Sequence, residues 1–101
     1  MAVFDAVFVP AGPAIKEAAL GASAASSEIS LGENKIFAVS ATDAYHIVFG
    51  RTGMAAADVA DFRVPSGVIA VFDTGHEFTH VSFFNSTGAA IDIYLQPLSR
   101  F

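Results

Sequence analysis

Residues 67–96 read GVIAVFDTGHEFTHVSFFNSTGAAIDIYLQ, and their pattern decides the fold class. Three apolar runs, 68–72, 78–84 and 91–95, are dominated by Val, Ile and Phe. Between them lie Asp73-Thr74-Gly75 and Asn85-Ser86-Thr87-Gly88, built from residues that favour turns. Branched and aromatic side chains suit a pleated, half-buried surface. The stretch is therefore expected to form consecutive antiparallel strands joined by tight connections.

The same grammar extends outward. Residues 27–31 alternate, with Ile29 and Leu31 facing in and Glu28 and Ser30 facing out. Gly32-Glu33-Asn34 makes a turn, and 35–42 resumes with Phe37, Val39 and Ala41 inward, so this pair is expected to be a hairpin. Residues 45–49 set Tyr45, Ile47 and Phe49 against His46 and Val48, and 50–57 form a loop. A short strand is expected at 58–64 through Val59, Phe62 and Val64, closed by Pro65-Ser66-Gly67. Beyond the opening stretch, Pro97 is expected to end the last strand. At the other end, 2–9 reads as a strand with Val3, Asp5, Val7 and Val9 on one face and Phe4, Ala6 and Phe8 on the other. Pro10, Gly12 and Pro13 close it, which makes residues 1–13 an N-terminal arm or an edge strand. Residues 14–27 read two ways. Local propensity favours a helix with Pro13 at its first position and Ile15, Ala18, Ala19 and Ala22 on one stripe; a strand needs only 14–20. The total is roughly eight short strands about ten residues apart, the rhythm of an all-β antiparallel sandwich or barrel. The whole chain, 1–101, makes a single domain.

Two strings in the opening stretch resemble chemistry. His76-Glu77-Phe78-Thr79-His80 fits H-E-x-x-H, which binds zinc because a helix brings residues i and i+4 onto one face. Here the string leads into Val81-Ser82-Phe83-Phe84, and in a strand the two histidines stand about 13 Å apart, too far for one ion. No metal site is expected. Asp73-Thr74-Gly75 fits the short signature of aspartic proteases, whose dimeric members join two carboxylates across a subunit boundary. It comes late in the chain, His76 follows it, and the Gly-Arg element of that family is missing. The tripeptide is equally an Asx turn with Gly75 at positive φ. Asp58 and Asp61 could contribute to a calcium site, but calcium needs six or more oxygens and none cluster in sequence. Asn85-Ser86-Thr87 has the form of a glycosylation sequon and reads as turn chemistry. No Ser sits in a strand-to-helix elbow, and no phosphate loop or dinucleotide fingerprint is present, so no enzyme and no cofactor is expected.

Composition narrows the partners. Apolar residues make up 53% and charged residues 15% of 101, a thin polar surface that suggests neighbouring subunits. A net charge of −5 with five scattered Lys and Arg argues against nucleic acid. The absence of cysteine excludes disulfides and thiolate metal sites. The start MAVFDAVFVPAGP has no basic residue and carries Asp5 in its apolar run, unlike a signal peptide, and no apolar run approaches ~20 residues, so no membrane contact is expected.

From about residue 27 to 97 the chain resembles the decoration, or cement, proteins of tailed-phage heads. The residues that carry the resemblance are Glu28-Ile29-Ser30-Leu31-Gly32 followed by Lys35-Ile36-Phe37-Ala38-Val39, then Val48-Phe49-Gly50 and Val64-Pro65-Ser66-Gly67. Val71-Phe72 before a Gly turn, Thr79-His80-Val81 and Ile91-Asp92-Ile93-Tyr94-Leu95 complete them. The resemblance implies a jelly-roll-like β-sandwich and tips residues 14–20 towards strand. It implies a virion protein on the outer capsid surface, assembled in the host cytoplasm as a homotrimer that binds and stabilises the major capsid protein. Val3, Phe4, Val7 and Phe8 are the expected capsid or subunit contacts. The alternatives are a retroviral-type aspartic protease using residues 73–75 and a glycan-binding sandwich, which would need an exposed aromatic platform.

Overall fold

The computed structural model describes residues 8–75 and 77–100. They form ten strands: β1 (Phe8–Pro10), β2 (Ile15–Leu20), β3 (Ala24–Ala25), β4 (Ile29–Ser30), β5 (Ile36–Ala41), β6 (Tyr45–Gly50), β7 (Phe62–Val64), β8 (Ala70–Asp73), β9 (His80–Asn85) and β10 (Ile91–Arg100). Val3, Phe4 and Val7 lie outside the described residues, and no helix occurs among those described.

The strands make an all-β antiparallel sandwich of two sheets, as the alternation requires. In the first sheet β10 is central, with β5 and then β8 on one side and β1 and β2 sharing the other. In the second, β9 is bordered by β3 and β4 on one side and by β6 and then β7 on the other. Counting each collinear pair as one column, the sheets read 1-8-3-6 and 2-7-4-5 along the chain. Only β6 and β7 are neighbours both in sequence and in space.

That order corrects the expected hairpins. β4 pairs with β9 and β5 with β10 and β8, so the Gly32-Glu33-Asn34 turn carries the chain from one sheet to the other. β8, β9 and β10 likewise alternate between sheets. Alternation fixes which side chains point inward, but it is silent on which strand lies alongside. The inward assignments hold: Leu31, Phe37, Val39, Tyr45 and Ile47 are in the core with Val81, Phe83, Ile93 and Leu95, and Ile29, Ala41 and Phe49 pack against it. Tyr45 meets Phe83 edge to face at 5.9 Å, and burial pushes its phenol up to about 12.

One open reading is decided and two further expectations are corrected. Residues 15–20, which read two ways, are strand, as the resemblance favoured, because β10 offers them a ladder that isolated propensity ignores. The register shifts between Ile91 and Ile93, where Ala19 takes φ 52° and its N–H donates to Asp92 Oδ1 at 2.8 Å. The expected strand at 58–64 shrinks to β7, since Asp58 and Asp61 cap a turn instead: Ala60 N–H donates to Asp58 Oδ1 and Asp58 N–H to Asp61 Oδ2. Pro97 does not end β10. In an antiparallel strand a residue's N–H and C=O point to the same neighbour. Pro97 C=O accepts from Ala11 N–H at 2.9 Å, in the gap between β1 and β2, so its missing N–H faces that gap and the ladder to β5 is intact.

Candidate functional site

The two outer faces of the sandwich are built differently. Connections between strands are short, three to six residues, except 51–61. This longer loop lies against the outer face of the second sheet. Ala57 N–H donates to Ser82 Oγ at 3.0 Å, and Ser82 Oγ–H donates on to Ser26 C=O at 3.0 Å. Ser26 is free to accept because it stands between β3 and β4, where its own hydroxyl takes the Phe83 N–H at 2.9 Å. His46 adds a second tie. The Asp61 carbonyl can only accept, so Nδ1 carries the proton and donates to it at 3.0 Å, while Nε2 accepts from Ser86 Oγ–H at 3.1 Å. Glu28 Oε1 takes the Gly53 N–H at 2.8 Å, and its other oxygen lies 3.8 Å from His80 Nε2. Ser82, Ala57 and His46 are 0%, 3% and 4% exposed, so this face is sealed by the chain itself.

Nothing comparable covers the first sheet among the described residues. On its outer face Ala38 stands beside Gln96 and the exposed Val71, and Ser40 beside Tyr94, half-buried, while Leu98 lies beside Ile36, which is 8% exposed. Its charges are few: Lys16 of β2 holds its Nζ 5.3 Å from the ring centre of Tyr94 on β10, Asp92 is held in the bulge, and Asp73 ends β8. Apolar exposure gathers at one flank, where β7 and β8 run along the sheet edges. Phe62 is 66%, Ile69 69% and Val71 54% exposed, joined by Val59 and Val68. Phe72 fills the gap behind them, 6.4 Å from Phe62 and 5.2 Å from Phe49 between ring centres.

The suggestive strings fall into turns and strands. Asp73 Oδ1 accepts from Gly75 N–H at 2.9 Å with Gly75 at φ 58°, an Asx turn, and Thr74 bonds through N–H and Oγ1 to Lys35 C=O. His80 opens β9 and its Nδ1 pairs with Thr79 Oγ1 at 2.8 Å. No cluster of three metal-ligating side chains occurs among the described residues. Ser86, His46 and Asp61 do come together, but Asp61 contributes its backbone carbonyl while its carboxylate caps the 58–61 turn. The sequon asparagine is fully buried: Asn85 Nδ2 donates to the carbonyls of Leu20, Gly21 and Ala89. A side chain so engaged ties the end of β2 to the β9–β10 connection and offers no acceptor for a glycan.

One open cleft of about 310 Å³ lies at an end of the sandwich, lined by residues 32–35 together with Gly75, Phe78 and Thr79. Phe78 is half-exposed beside Glu33 and Asn34. Of the expected contacts, Phe8 is described, as the first residue of β1 opposite Arg100. Sequence reading missed the sealed face. His46 was assigned outward by alternation, and the signal that it is covered is the 51–61 loop, long enough to lie across a sheet. No family model, curated protein or solved structure matches this chain.

Proposed function

We propose that the chain is a structural virion protein that decorates a phage capsid, binding as an oligomer between major capsid subunits and stabilising the shell. The observation that carries this reading is the asymmetry of the sandwich: one outer face is closed by its own 51–61 loop, while the other has no such loop among the described residues and is bordered by an apolar flank. Surfaces of that composition favour protein contact over solvent. The column order 1-8-3-6 and 2-7-4-5 supports it, being the winding of an eight-column jelly roll, a fold frequent in capsids. The hydrogen bonds at Asp73 and His46 are those of turn and loop fixation rather than of acid–base work.

The reading expects a major capsid protein to be encoded in the same genome, and the test is co-sedimentation of the chain with empty shells of that protein. Bound chain and shells that withstand more heat support the reading. A chain that stays in the supernatant and leaves shell melting unchanged ends it. The glycan-binding reading has one observation in its favour, Phe78 in the open cleft as a stacking platform. It requires retention on a glycan surface that Phe78→Ala abolishes.

A further inference from the structure

The sandwich has four lateral edges, and three are guarded against pairing. The β1/β2 edge carries Pro10, Pro13, Lys16 and Glu17 and is broken by the bulge at Ala19. The β3/β4 edge consists of two-residue strands separated by Ser26, Ser27 and Glu28. β7 is three residues long, holds Arg63 and stops at Pro65. Prolines, charges, bulges and brevity are the devices by which proteins keep sheet edges from meeting. The β8 edge is the least defended: no proline or bulge interrupts its register to β5 from Ala70 to Asp73, its one charge is Asp73 at the end, and residues 67–72 read Gly-Val-Ile-Ala-Val-Phe.

We propose that β8 is a self-association edge, pairing antiparallel with β8 of a second copy about a two-fold axis, so that the first sheets of two molecules become one. Three observations choose a second copy as the occupant. An antiparallel ladder is symmetric about a dyad, so one edge complements itself without needing a second surface. The large exposed apolar side chains concentrate on this one flank, Val59, Phe62, Val68, Ile69 and Val71, whereas a head-to-tail ring needs two different patches. The chain carries −5, and the uncharged run 67–72 lets two copies meet without like charges opposed. The flank is about 23 Å long by roughly 20 Å across the two sheets, or about 450 Å² per copy before corrugation. This is below the ~800 Å² of a standard interface, so the pair is reversible and concentration-dependent. The contact gives the proposed assembly subunit its self-association surface and rests on that reading for its purpose.

The experiment is sedimentation of the full chain across the micromolar range, with variants on either edge. The wild type is expected to pass reversibly from monomer to dimer, and Val71→Lys to remain monomeric with its melting temperature unchanged. Because the chain has no cysteine, Ile69→Cys, Ala70→Cys and Val71→Cys report the register: the residue on the axis closes a disulfide dimer under mild oxidation, and Ala18→Cys on the opposite edge does not. A wild type that is monomeric throughout, or a trimer that forms equally well with Val71→Lys, overturns the β8 contact. Either result with shell binding retained leaves the capsid reading standing. A β8 dimer that ignores shells overturns that reading and spares the contact.

Discussion

The outer face of the second sheet and that of the first are both made of antiparallel strands, yet only one is finished. On the second, the alternation of β6 and β9 sends His46 and Ser82 outward, and the 51–61 loop then buries them with their hydrogen bonds completed. On the first, Ala38 and Ser40 are small and uncharged, and Gln96 is held by the 11–14 connection, its Nε2 donating to Gly12 C=O at 3.1 Å. The difference teaches that polar residues on a sheet are no guide to exposure. Ser82 is buried because a loop supplies its partner, while Val71 is exposed because none does.

The sharpest way to break the comparison is to delete one hydroxyl on each face. Ser82→Ala strands the Ala57 N–H and the Ser26 carbonyl, and is expected to cost about 2–4 kcal/mol in denaturant unfolding and to speed exchange of the loop amides. Ser40→Ala is expected to change stability by less than about 0.5 kcal/mol. Equal effects would mean that the loop does not seal the face. A steric probe comes next. A Cβ on Gly50 would stand 2.9 Å from Met54 Cβ, so Gly50→Ala must push the start of the loop outward, at a cost of about 1–2 kcal/mol by thermal melting.

Alkaline pH probes the buried tyrosine between the two faces. Tyr45 is held protonated up to about 12 against an ordinary value of 10.0, so the unfolded chain releases this proton first. The corresponding stability is complete below about pH 10 and is lost as pH climbs towards about 12. Tyr45→Phe is expected to flatten that limb of the pH profile, read as unfolding free energy against pH. The smallest expected effect is a gain. Ala19 sits at φ 52° in the bulge of the first sheet, a left-handed conformation that glycine adopts without strain. Ala19→Gly is expected to raise stability by about 0.5–1 kcal/mol in urea unfolding.

Much of the fold was legible because local physics decides it. Ile29, Phe37, Tyr45 and Ile47 face in as their period of two requires, and Asp73-Thr74-Gly75 makes the turn its residues favour. What was hidden depends on remote segments. Residues 15–20 read as a weak helix until β10, some 70 residues on, gives them a ladder. Pro97 read as a stop because nothing local says that its blocked side faces the break between β1 and β2. Val59 read as part of a strand because its apolar character outweighed Asp58 and Asp61, whose carboxylates close the turn. The uncovered flank was suggested only as surplus apolar composition; its position at β7 and β8 came from topology.

β10 has a consequence for the timing of synthesis. It is the strand on which β1, β2 and β5 all depend, and Ile91 lies opposite Leu20. At about 5–20 residues per second, a ribosome that has made residue 20 needs about 4–14 s to reach residue 91. During that interval the first sheet lacks its middle, so β2 has no strand to pair with and β5 lacks one of its two neighbours. The apolar side chains of the earlier strands of this sheet, Leu20, Phe37 and Val39 among them, therefore wait longest for the strand that buries them, so chaperone capture or aggregation during translation would act first on those segments.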